Sequence, residues 1–234
     1  MYMNGMPTRF TCNEILDRLR SLADPKGAEG AARYGINAPN VWGVSAPKLR
    51  ALAKEVGRNH DLAEELWQTG VHDARILATL VDDPAQVTVE QMERWVLDFN
   101  SWAVCDAACC CLFDKTPHAW DKAAQWIERD EEYVKRAGFV LMAALAVHNK
   151  KAPNEQFEAF LSLIETHATD DRNFVKKALN WALRQIGKRN RHLNPLAIEA
   201  GERIRQIDSK AARWIASDAL RELASSKVRQ RLKT

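Results

Sequence analysis

No stretch of the 234 residues approaches the roughly 18 uninterrupted apolar residues that a membrane-spanning helix needs. Runs of alternating polar and β-branched residues are missing as well, which removes half-buried strands from the reading. The phosphate-cradling G-x-x-x-x-G-K-[ST], the dinucleotide G-x-G-x-x-G and the nucleophile elbow G-x-S-x-G are all absent, so nucleotide-binding and serine-hydrolase chemistry have no support. Met1 to Thr11 is short and polar, with Arg9 interrupting any apolar run, so no secretory leader is expected. The five cysteines form no C-x2-C pair, and four of them (Cys105, Cys109, Cys110 and Cys111) crowd into one helical segment. Neighbours on a single helix are poorly placed for a disulfide framework, which fits a reducing cytoplasm. No HxxxH accompanies them and the six histidines are scattered, so packed thiols are expected, with no metal and no cofactor.

What is present is an ordinary globular composition, 46% hydrophobic and 28% charged, long enough to bury a core or to form one repeat array. The overall charge of +3 conceals an asymmetry: residues 172–234 hold 16 Lys/Arg against 5 Asp/Glu, whereas residues 1–171 hold 18 against 26. A balance of +11 beside one of −8 reads either as a polyanion-binding face or as a solvated basic surface.

Apolar residues recur at three- and four-residue spacing almost throughout, which predicts an all-α protein of roughly a dozen helices. Thr11-Cys12-Asn13-Glu14 and Thr88-Val89-Glu90-Gln91 read as capping boxes. Breaks are expected near Pro25, Gly43 to Pro47, Gly57, Gly70, Pro84, Pro117, Pro153, Asp170-Asp171 and Asn194-Pro195. Val134-Lys135-Arg136-Ala137-Gly138-Phe139 compares with Val175-Lys176-Lys177-Ala178-Leu179-Asn180 and, less well, with Ser209-Lys210-Ala211-Ala212-Arg213-Trp214. Asp73-Ala74-Arg75-Ile76-Leu77-Ala78 is a weaker earlier copy. The spacing is irregular, 41 residues from Ala137 to Ala178 and 34 from Ala178 to Ala212. Basic start, small residue and apolar run are how stacked HEAT or armadillo hairpins read; a plain bundle of unrelated amphipathic helices is the alternative. In a helical-repeat solenoid the second helices would line a concave basic groove.

Two segments carry candidate chemistry. In Ser101-Trp102-Ala103-Val104-Cys105-Asp106 the four-residue spacing stacks Trp102 and Asp106 on one helix face. Asp106 is either a surface carboxylate, a structural partner of an arginine, or an acid facing a cleft, since burying it alone is costly. Ala103, Val104, Ala107, Ala108 and Leu112 imply a largely buried helix with space around that carboxylate. The second segment, Arg172 to Arg191, holds seven Lys/Arg and no acid after Asp171, and places Lys177, Trp181, Arg184 and Lys188 at i, i+4, i+7 and i+11. Such a stripe suits a phosphate backbone, with Trp181 against a sugar or base; the alternative for Trp181 is the hydrophobic core.

In the order and spacing of its motifs the chain resembles the AlkD family of bacterial DNA-alkylation-repair glycosylases, from about Ala32 to Leu223. The landmarks are Ala32-Arg33-Tyr34, Gly43-Val44-Ser45-Ala46-Pro47-Lys48-Leu49-Arg50, Trp102-x3-Asp106, Val134-Lys135-Arg136-Ala137 and Val175 to Arg184. The resemblance implies one HEAT-like repeat domain over 1–234, with looser order before about residue 13 and after about residue 225. It implies excision of cationic N3- and N7-alkylated purines from double-stranded DNA, leaving an abasic site without extruding the base. Asp106 would be the catalytic carboxylate, with Trp102 and Trp181 flanking the damaged nucleotide's sugar. Arg136 would hold the backbone, Tyr34 would sit at the cleft edge, and Lys135, Lys176, Lys177, Arg184 and Lys188 would contact the DNA. The protein would be a monomer, cytoplasmic and nucleoid-associated in a bacterium, with no membrane partner. Ala103 stands where the family often has a polar residue, and Ser101 where an aromatic can occur. Two other readings compete: a non-catalytic repeat protein binding branched or distorted DNA, and a protein-binding HEAT scaffold.

Overall fold

A computed structural model describes residues 10–36, 38 and 40–232, which form fourteen α-helices, one short 3-10 turn and no β-strand. The chain divides into two compact units, Met1–Thr116 and Pro117–Thr234. The first holds α1 (Cys12–Ser21), α2 (Pro25–Arg33), α3 (Ala46–Val56), α4 (His60–Gln68), α5 (His72–Val81), α6 (Val89–Leu97) and α7 (Trp102–Cys111). The second holds α8 (Ala119–Trp126), α9 (Glu132–His148), α10 (Asn154–Thr166), α11 (Asn173–Gly187), α12 (Leu193–Gln206), α13 (Lys210–Leu223) and α14 (Ser226–Arg229). The expectation of looser termini falls partly on residues 1–9 and 233–234, which lie outside the described residues.

Local signals place several helix starts. Thr11 and Glu14 form the expected capping box at α1, so both orphan amides there find an oxygen. Thr88 caps α6 through the Gln91 amide, but the Gln91 side chain turns away to Asp82 at 2.7 Å, so the described bonds complete only half a box. Pro25 starts α2 at a position where its missing N–H is harmless. Pro195 lies inside the first turn of α12, not at a break, for the same reason.

The repeat pattern appears as alternation in packing. In the second unit α9, α11 and α13 pack in series, α8 covers α9, and α10 and α12 pack against each other and against α11. In the first unit α3, α5 and α7 form a shorter series, with α4 against α5. Helices of one set meet their own kind, as stacked hairpins do; a plain bundle has no reason to sort them. The helix α9 is apolar almost all round and is buried from Arg136 through Ala146 because neighbours cover it on several sides. Gly138 permits the close crossing with α8: a Cβ there would lie 2.6 Å from the Ile127 Cγ2 and 2.9 Å from the Ala123 carbonyl oxygen. The core of the first unit centres on Trp67 and Trp95, stacked with ring centroids 3.9 Å apart and planes within 4°.

Candidate functional site

Helix α7 brings together three of the expected residues, from the first unit. Ser101 caps it, its hydroxyl accepting from the Val104 amide, and Val104, Cys105, Ala108 and Cys109 anchor it in the core. Trp102 and Asp106 emerge on the remaining face, both half-buried. The Trp102 indole N–H donates to the Tyr34 carbonyl at 2.9 Å, fixing the ring against the end of α2 across 68 residues of sequence. Tyr34 itself is 75% exposed, so its ring is available at the edge of this site.

What holds α2 in place was not legible from the motifs. Its helical residues include none that are fully buried, so it is tied down through its backbone. The Asp24 amide donates to the Trp42 carbonyl at 2.9 Å. Gly43, at φ +76°, lies so close that a Cβ would stand 2.3 Å from the Asp24 carbonyl oxygen, a conformation and approach open only to glycine. This loop is in turn pinned by Asp73, 2% exposed, whose two carboxylate oxygens accept from the Trp42 and Val44 amides at 2.8 and 2.7 Å. Asp73 is thus the anchor of the loop on which the start of α2 rests, and its partner amides lie 29 and 31 residues away, so no local spacing announced it.

The other seven expected residues lie in the second unit. Arg136 is 6% exposed and its Nη1 donates to the Phe174 carbonyl at 2.6 Å, tying α9 to the first turn of α11. Lys135 lies 3.7 Å from Asp170, which also holds Arg172. Lys177 is exposed, Trp181 is half-buried, and Lys176 places its ammonium 5.7 Å from the Trp214 ring centroid. Arg184 and Lys188 are both paired with Glu222 of α13, Lys188 at 2.9 Å, and Arg184 also approaches Asp218 at 3.4 Å. Burial would raise the Glu222 carboxyl, but the hydrogen bonds and charges of Arg184 and Lys188 prevail and hold it below its ordinary value.

The basic run therefore serves two ends. Arg189 points inward, 4.3 Å over Phe157, and donates to the Ala146 and Ala152 carbonyls at 3.0 Å; burial lowers its affinity for a proton. Arg172, Arg184, Lys188 and Arg189 all have protein partners, leaving Lys177 and Arg191 as the exposed cations of the run. The acids that the run lacks are supplied by neighbouring helices, and Glu222 is the residue that sequence spacing missed.

The cysteines pack. Burial first, then the charge of Asp106, pushes the Cys110 thiol far up, and burial with the Cys105 hydrogen bond does the same for Cys109. No group of His, Cys, Asp and Glu that could hold a metal ion occurs among the described residues. Nor is any helix of the described residues long and apolar enough to cross a membrane.

Helical hairpins stacked in this way define the HEAT-like repeat class. A solved protein from a family related to the HEAT-like repeat DNA glycosylases, with affinity for branched DNA structures, shares the fold at TM-score 0.76. It is 20% identical, with 91% of this chain and 95% of that one covered. The model of the DNA alkylation repair enzyme family matches residues 15–223, and the chain belongs to that family. Among curated proteins it is similar to the uncharacterized protein Lin0241 of Listeria innocua serovar 6a, 23% identical over 202 residues. It is also similar to Lmo0209 of Listeria monocytogenes serovar 1/2a, 21% identical over 202 residues; each alignment covers 85% of this chain and 88% of the relative.

Proposed function

We propose that this protein is a monofunctional DNA glycosylase that hydrolyses the N-glycosidic bond of cationic N3- and N7-alkylated purines in duplex DNA. The observation that carries the reading is the Trp102–Asp106 pair on α7, a half-buried carboxylate beside an indole held in place by the Tyr34 carbonyl. Alkylation at N3 or N7 leaves a positively charged base that departs without a strong general acid. Breaking its bond builds positive charge on the deoxyribose, which a fixed carboxylate stabilises and against which it can position water. The electron-rich indole face favours the same developing charge. No lysine nucleophile is needed, so the product is an intact strand with an abasic site. Lys177, Trp181 and their neighbours on α11 would hold the phosphate backbone, with Lys135 and Arg136 behind them; no extrusion of the base and no partner subunit is required.

The test is release of 7-methylguanine or 3-methyladenine from duplex DNA by the wild type and by Asp106→Asn. Loss of a preorganised electrostatic group costs about 2.7–4 kcal/mol, so release should fall by about 10²–10³-fold. A second reading is non-catalytic binding of branched DNA, favoured by the affinity of the structurally similar protein for such structures. It predicts no base release by either form, salt-dependent binding, and unchanged or improved affinity for Asp106→Asn.

A further inference from the structure

Trp214 is 42% exposed, on the outer face of α13, although this helix buries Ala211, Ala212, Ile215, Ala216, Ala219 and Leu223 on the other. Around it stand cations. Lys210, four residues earlier on the same face, is exposed and makes no ion pair among the described residues; Lys176 reaches across from α11 to the indole. Asp218, one turn beyond Trp214 on that face, is covered by Arg184 and Arg221. Lys210, Trp214 and Arg221 stand 33 residues after Lys177, Trp181 and Lys188, with Ser217 in place of Arg184. The buried Ala211, Ala212, Ile215, Ala216 and Ala219 follow Ala178, Leu179, Ala182, Leu183 and Ile186 at that same offset, one residue short of the 34 that the local motif suggests. The two helices run side by side in the same direction: Lys176 meets Trp214, the Asn180 amide donates to the Ile215 carbonyl at 3.1 Å, and Lys188 meets Glu222.

We propose that Trp214 is a second stacking platform, one repeat beyond Trp181, and that it takes an unpaired nucleotide. The inference rests on the DNA-binding reading above. In intact duplex the bases stack on one another, so an exposed indole gains a full π-face partner only where a nucleotide has left the stack. A lysine over an exposed ring is held weakly, and its ammonium can move to the phosphate of the incoming nucleotide while the ring receives the base. Packed helix axes lie about 8–10 Å apart, which spans about two to three nucleotide steps of 3.4 Å. The platform therefore serves a nucleotide two or three positions from the one at Trp181, where a fork or flap places an unpaired arm beside the duplex.

Fluorescence anisotropy with a forked duplex and a fully paired duplex of equal length tests this for the wild type, Trp214→Ala and Trp214→Phe. Trp214→Ala should weaken forked binding by about 5- to 100-fold and leave paired binding within about twofold. Trp214→Phe, which keeps a ring, should retain most of the forked affinity. Unchanged forked affinity in Trp214→Ala, equal losses on both DNAs, or a phenylalanine variant as weak as the alanine one overturns the platform alone. A wild type that binds neither DNA overturns the proposed function and the platform together.

Discussion

Replacing Glu222 with glutamine should make this protein bind DNA more tightly. Glu222 is the acid that draws Arg184 and Lys188 onto α13, and both cations are about a quarter to a third exposed, 32% and 25%. The amide keeps the shape and one acceptor but loses the charge, so the Lys188 ammonium becomes available to phosphates, while of its ion pairs Arg184 keeps only the 3.4 Å contact with Asp218. One additional phosphate contact from Lys188 steepens the dependence of log K on log salt by about 0.9, and a second from Arg184, drawn off Asp218, would bring it to about 1.8. Over a fourfold rise in salt the variant should therefore lose about 3- to 12-fold more affinity than the wild type, starting from a tighter complex at low salt. The folding penalty is small, because the glutamine keeps an acceptor for both cations and ion pairs that reach solvent contribute about 0.2–1 kcal/mol. For a chain of this size that is a fall of about 2–4 °C in Tm at most, so binding at 25 °C is read on folded protein. The assay is a salt titration of duplex affinity by anisotropy. Equal slopes for Glu222→Gln and wild type would refute the placement of Arg184 and Lys188 on the DNA.

Two further predictions concern stability. Asp73→Ala should lower unfolding free energy by about 3 kcal/mol or more, since two charge-assisted bonds to the Trp42 and Val44 amides vanish and leave those amides unpaired. Urea denaturation should show a lower midpoint at unchanged m, and a loss below about 1 kcal/mol would show that the loop has other anchors. In acid, Glu222 and Asp170 both sit below their ordinary values of 4.5 and 3.8, because their basic partners outweigh the effect of burial. Their contribution is complete above those ordinary values and disappears as pH falls through the lower folded-state ones. Thermal unfolding between pH 5 and about pH 2 should show a stability loss that is smaller in Glu222→Gln.

The three residues assembled on the first unit differ in kind from the seven on the second. Trp102 is anchored by a direct bond, Tyr34 supplies a backbone acceptor while keeping its ring exposed, and Asp106 is half-buried. On the second unit most of the expected basic side chains are already partnered, so under the proposed function binding there would require exchanging protein carboxylates for phosphates. That exchange is cheap for exposed pairs and is screened by salt. The proposed function therefore predicts binding that depends strongly on ionic strength.

Helix content, the capping box at Thr11, the repeat of a basic start followed by an apolar run, and the shared face of Trp102 and Asp106 were all determined by the sequence itself. Each depends on residues within a turn or two, where 3.6-residue periodicity converts spacing into direction. The fates of Arg136, Arg184, Lys188 and Arg189 were decided only by tertiary structure. Their partners, the Phe174 carbonyl, Glu222 and the Ala146 and Ala152 carbonyls, lie 34 to 43 residues away on neighbouring helices. A local count of charge sees a run without acids; the fold brings the acids in from the next repeat. The same holds for Asp73, whose value lies in two amides about 30 residues upstream that no periodicity connects to it. Helix faces follow from covalent geometry, whereas the neutralisation of a charge depends on which helix packs beside it.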